Sequence, residues 1–163
     1  MKAKAEAELV EYLTNHLAYE REMLGFTFKM LFRSDGLRWC AFFESFGLHA
    51  RNLYDFLRHE GQKGNTIRAD DYLAGRKRSA PSRVDGRLNA SFFHLSTDRL
   101  KNDPVNLDDA IQIAQWIDAE WKKWAEQLSS PFSELAKAAP VCALEVPSGS
   151  STPTASSDVK VIT

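Results

Sequence analysis

A chain of 163 residues is one domain's worth of sequence. Its 44% hydrophobic and 26% charged residues are ordinary for a globular protein, and ten Phe, four Trp and four Tyr can fill a core. A formal net charge of -1 excludes a broadly basic surface for duplex nucleic acid, though it leaves room for a local basic groove.

The first predicted element covers residues 5–32. Leu9, Leu13, His16, Leu17, Glu20, Met23 and Leu24 recur at helical spacing on one face. Phe26, Phe28, Met30, Leu31 and Phe32 then make its end apolar nearly all round, so that end must be buried or meet a partner. Ser34-Asp35-Gly36 breaks the pattern, and Ser34 or Asp35 can cap the next helix.

A second helix is predicted from Leu37 to His59. Cys40, Phe43, Phe46, Gly47, Ala50, Leu53, Tyr54 and Leu57 form a wide apolar arc, extended by Phe42, His49 and Phe56. This is the pattern of a central helix. Gly61 to Asn65 ends it, and a long connection runs to Ser82 with a short helical turn at Ala69–Ala74. Connections of this length in small bundles are functional, mobile or simply solvated. Arg76-Lys77-Arg78 lies within it, with Arg68 and Arg83 nearby.

A third helix is predicted over residues 83–101, stopped by Pro104. A fourth starts at the N-cap residue Asn106, with Asp108 and Asp109 near the positive end of its dipole. Its apolar face is Ile111, Ala114, Ile117, Trp121 and Trp124 or Leu128. Past Pro131 a short apolar piece, Phe132–Ala139, can dock back as a helical turn. From Pro140 onward the Ser, Thr, Pro and Ala content cannot offset the entropy of ordering.

The predicted fold is therefore all-α: a four-helix up-and-down bundle over residues 1–130, with a long helix 2–3 connection and a disordered tail over 131–163. The apolar end of helix one predicts a homodimer. No apolar run approaches the ~20 residues a membrane span needs. The first residues are charged and helix-forming rather than a signal-peptide core. Cys40 and Cys142 read as free thiols of a reducing compartment. The expected location is cytoplasmic, away from membranes.

No phosphate-cradling glycine loop, Cys-x-x-Cys pair, His-Glu-x-x-His or nucleophile elbow occurs, and no cofactor is expected. His16 and Glu20 are spaced as a helical pair, as are His94 and Asp98. No Glu-x-x-His accompanies them, so no metal site is expected either. Polar groups on helices remain. Glu44, Arg51 and Asp55 share a strip on helix two, with His49 and Asn52 beside it. Arg51 and Asp55 are spaced to pair.

On helix three, Arg87, Ser91, His94 and Asp98 share one line. Arg87 offers a permanent charge and a planar donor fork for phosphate. His94 can move a proton near neutral pH, and Asp98 can orient its ring. The competing reading of His49, which lies between Phe42 and Phe56, is a hydrogen-bonded core residue, and that of the helix-three strip is a solvated polar face with an incidental histidine. Trp116, Trp121 and Trp124 on helix four can stack bases, or serve as core anchors.

Two segments carry a family resemblance. Phe43-Glu44-Ser45-Phe46-Gly47-Leu48-His49-Ala50-Arg51-Asn52-Leu53-Tyr54-Asp55-Phe56 resembles a segment of bacterial HEPN-like helical proteins. Leu88 to Leu100, with Ser91, His94 and Asp98, resembles their companion helix. The likeness spans residues 5 to 128. It implies a small helical bundle that dimerises and a metal-independent endoribonuclease of toxin–antitoxin, defence or RNA-processing systems. Other members only bind RNA or nucleotides, or act as scaffolds. The implied partners are RNA and an antitoxin or other protein. The family's signature is an Arg and a His separated by four to six residues, which Arg87 and His94 match. Arg51-Asn52 resembles the start of the commoner form, but its histidine is absent and His59 comes one residue late. The resemblance assigns catalysis to Arg87 and His94, with His49, Arg51, Asn52, Asp55, Glu44 and Asp98 lining the cleft.

Overall fold

The computed structural model describes residues 5–58, 66–73 and 106–140. Its regular elements are all helical, with no strand among the described residues. The all-α class expected from the apolar spacing is what the chain adopts.

Helix α1 (Glu6–Glu11) runs into a π-helical turn (Tyr12–Leu17) and then α2 (Ala18–Leu31). The junction residues Tyr12 and Ala18 keep right-handed helical angles, so the three pieces form one rod. Leu9, Leu13, Leu17, Leu24, Phe28 and Leu31 are buried along it. Of the apolar end, Phe28 and Leu31 are covered while Phe26 stays half exposed.

The rod ends at a short turn. The Ser34 hydroxyl donates back to the Met30 carbonyl instead of capping the next helix. The Asp35 carbonyl accepts from Trp39 N–H and so begins the next ladder. Gly36 adopts φ 53°, in the left-handed region that costs a side chain roughly 1–2 kcal/mol. Helix α3 (Gly36–Arg58) then returns along α2. Tyr19 meets His49 toward one end of the pair and Phe26 meets Phe42 toward the other, so the helices are antiparallel, and Phe28 meets Phe46 between them. Phe46, Gly47, His49, Ala50, Leu53, Tyr54, Phe56 and Leu57 are buried, as the arc predicts for a central helix. Cys40, placed on that arc, is exposed near the helix start, where little packs against it.

The short helix α4 (Ala69–Tyr72) is the turn expected in the long connection. Helix α5 (Leu107–Gln127) begins at a reciprocal cap. Asp109 N–H donates to Asn106 Oδ1 at 3.1 Å, and Asn106 N–H donates to Asp109 Oδ2 at 3.2 Å. Tyr54 meets Trp116, and Phe56 meets both Trp121 and Trp124, so α5 packs against the C-terminal half of α3. Helix α6 (Phe132–Ala138) folds back onto α5, held by Trp121 Nε1–H donating to the Ala136 carbonyl at 3.1 Å. The packed chain thus continues past residue 130 to Pro140, because Phe132, Leu135 and Ala136 carry enough apolar surface to dock.

The core is centred on aromatic edge-to-face contacts among Phe56, Tyr72, Trp121, Trp124 and Phe132. Trp124 Nε1–H donates to the Ala69 carbonyl at 3.3 Å, tying α4 to α5. The expected third helix, the Arg76–Arg78 run and the tail from residue 141 lie outside the described residues.

Candidate functional site

The seam between α2 and α3 holds the most developed polar cluster. Glu20 is in helical phase with the buried Leu13, Leu17 and Leu24, so its carboxylate is turned toward the neighbouring helix. There it accepts from His49 Nδ1 at 2.7 Å through one oxygen and from Asn52 Nδ2 at 3.1 Å through the other. His49 is 5% exposed, and the edge of the Tyr19 ring closes over it at 5.7 Å. An ionised carboxylate can only accept, so the proton of a neutral His49 sits on Nδ1 and Nε2 is the ring's acceptor. This bridge satisfies a buried imidazole that would otherwise be costly to leave unpaired.

Tyr12 lies beside this cluster, in the π-helical turn. Burial, and then the Glu20 carboxylate, raise its phenol above the ordinary value of 10. Its ring also lies 5.2 Å from that of His16, which is exposed. Tyr72 continues the band and donates to the Leu9 carbonyl at 2.8 Å. Burial, then Tyr12 and Asp71, raise its phenol still further.

On the outer side of α3, Arg51 Nε approaches Asp55 Oδ2 at 3.8 Å, the pairing the spacing predicts. Both are about a third exposed, so the pair is worth a few tenths of a kcal/mol at most. Glu44 is exposed farther along the same strip. His49 and Asn52 therefore converge on Glu20 in the seam, and Arg51, Asp55 and Glu44 face away from it. Arg87, His94 and Asp98 lie outside the described residues.

A second polar centre was not legible as such in the sequence. Arg21, 2% exposed, lies with its guanidinium 4.4 Å from the Trp121 ring centroid. Its Nε donates to the Pro140 carbonyl at 3.0 Å, and its Nη2 approaches Asp118 Oδ1 at 3.5 Å. Lys122 holds the other Asp118 oxygen at 2.7 Å. This centre pins the segment after α6 against the rod. Trp121 and Trp124 are consumed by packing, so the core role, rather than base stacking, is the one they fill. Among the described residues no three His, Cys, Asp or Glu side chains gather as a metal site. No described helix is long and apolar enough to cross a membrane.

Comparison with protein-family models, curated proteins and solved structures finds no match for this chain.

Proposed function

We propose that this chain is a HEPN-like, RNA-directed protein: a metal-independent endoribonuclease acting as a homodimer in the cytoplasm, in a toxin–antitoxin or defence setting. One observation carries the reading. The segment that bears the resemblance, residues 43–56, directs His49 and Asn52 onto a single carboxylate of the neighbouring helix. His49 and Asn52 are therefore held in a defined arrangement, while Arg51, Asp55 and Glu44 of the same segment stand on its outer strip. In this reading Arg87 holds the scissile phosphate and stabilises its developing charge. His94 moves the proton of a 2′-hydroxyl or of the leaving oxygen, oriented by Asp98. Arg51, Asp55 and Glu44 edge the same cleft, with His49 and Asn52 bracing its wall. An antitoxin or other protein partner would cover it.

The test is cleavage of a structured RNA in excess chelator by the native protein, His94→Ala and Arg87→Ala. Cleavage by the native chain and a loss of about a hundredfold or more in each variant is expected, as for removal of a general acid–base group. Equal rates in all three, or none in any, would remove the catalytic assignment.

A second reading is a non-catalytic helical interaction module. The observation favouring it is that Tyr19, Phe26, Leu37 and Leu48 stay exposed on a single hairpin. RNA cleavage absent from all three proteins, with stable capture of a protein partner, selects this reading.

A further inference from the structure

Helix α6 has seven residues, and no side chain caps its first turn. An isolated helix needs about 12–15 residues to persist in water, so the order of α6 is supplied by what it docks on. It lies between the π-helical turn and α5. Little large apolar surface seals it there: Ala136 and Ala139 are buried, while Phe132 and Leu135 are only half-buried.

Two side-chain donors of the body reach its backbone instead. Trp121 Nε1–H donates to the Ala136 carbonyl at 3.1 Å, and Arg21 Nε donates to the Pro140 carbonyl at 3.0 Å. The Ala136 carbonyl belongs to the last turn of α6, where a helix has no partner of its own to offer. Phe132 adds an edge-to-face contact with Tyr72 of α4 at 5.1 Å.

Neither donor relies on α6 for its place. The Arg21 guanidinium lies on the Trp121 ring and faces Asp118, whose other oxygen is held by Lys122. Trp121 packs against Phe56 and Trp124. Both donors face α6, so its departure hands them to water and leaves no polar group buried and unpaired. Withdrawal of α5 is a different matter, because Ile113, Ile117 and Trp124 are fully buried and would take the core with them.

We propose that residues 132–140 form a strap that opens and recloses as a unit while the rod, α3 and α5 stay folded, with Trp121 and Arg21 as its two latches. The open state uncovers the indole N–H and the guanidinium together. Residues 141–163 continue from Pro140, so a load on them reaches the body through the strap.

Hydrogen exchange of the full chain, read by mass spectrometry, tests this. Strap amides are expected to exchange at least about tenfold faster than those in the buried half of α3, yet more slowly than unstructured peptide. Trp121→Phe keeps a ring and deletes one latch, and should speed strap exchange by about threefold to tenfold. Phe132→Ala alters the strap alone, so the body keeps its fold, and should act in the same direction. Ile117→Val loosens the body, whose packing at that position is the same with the strap open or closed. It should speed α3 exchange by about threefold to tenfold and leave the strap rate unchanged. Strap amides as slow as those of α3, or speeded by Ile117→Val in step with α3, would show that α6 comes away only with the whole core and would overturn the proposal. Strap amides as fast as unstructured peptide in the wild type, or indifferent to both Trp121→Phe and Phe132→Ala, would overturn it as well.

Discussion

At the scale of single residues, two buried polar groups set the character of the hairpin and of its attachment to α5. His49 is held by Glu20 and roofed by Tyr19. Removing the imidazole in His49→Ala leaves a half-buried carboxylate with Asn52 as its remaining partner. The expected cost is roughly 1–3 kcal/mol, read from urea denaturation midpoints at constant m. An unchanged midpoint would mean the bridge contributes nothing net. Glu20 was legible as a residue of the inner face, since it keeps phase with Leu13, Leu17 and Leu24, and a carboxylate there requires a partner. Arg21 was not legible. It follows Glu20 and precedes Glu22 in a run that reads as solvated surface. Its burial comes from Trp121 and Pro140, which are remote in sequence and brought over it only by tertiary packing.

At the scale of elements, helix starts and stops follow local chemistry where a short polar side chain stands at the boundary. Asn106 was readable as an N-cap from its short amide side chain ahead of two acids, and the structure adds the reciprocal bond with Asp109. Asn106→Ala should cost about 1 kcal/mol, seen as a lowered thermal midpoint, while Asn106→Asp should cost far less. Equal losses in both would show that the side-chain oxygen is not the source. Ser34 shows the limit of such reading. Its hydroxyl has two backbone targets within reach, and it closes the helix behind it rather than opening the one ahead. The central helix α3 was legible almost whole, since eight of its buried positions fall on one arc of the wheel. The π-helical turn was not, because Tyr12 to Leu17 carries no residue that demands an extra backbone step.

At the scale of the whole molecule, the rod, α3 and α5 meet around an aromatic nexus that also secures the small elements α4 and α6. Tyr72 belongs to that nexus and Tyr12 lies beside Tyr72, and the folded state raises both phenols. Below pH 10 both are neutral whether the chain is folded or unfolded, and their contribution is fully present. Above pH 10 the unfolded chain loses these protons first, so unfolding gains, and stability falls until the folded phenols also ionise. Thermal midpoints should therefore drop steeply on the alkaline side of pH 10, with Tyr72→Phe reducing the slope. A flat profile there, or the same slope in the variant, would contradict this. The apolar rods could be read from spacing alone, because burial of one face is what produces the spacing. The docking of α6 could be read only as an option. Its few apolar residues gain stability only because Trp121 offers a ring and an N–H at the right place.

The π-helical turn has a geometric consequence for everything that precedes it. Each i→i+5 turn inserted in an α-helix behaves as one surplus residue, which rotates the upstream chain by about 100° relative to the downstream chain. Leu9 shares a stripe with Leu24 and Leu31 at ordinary helical spacing, so the surplus step swings the first turns within the buried arc rather than off it, and the Leu9 carbonyl still receives the Tyr72 hydroxyl. The bulge thus sets the angle at which the rod's beginning meets α4 and leaves its greasy side facing inward.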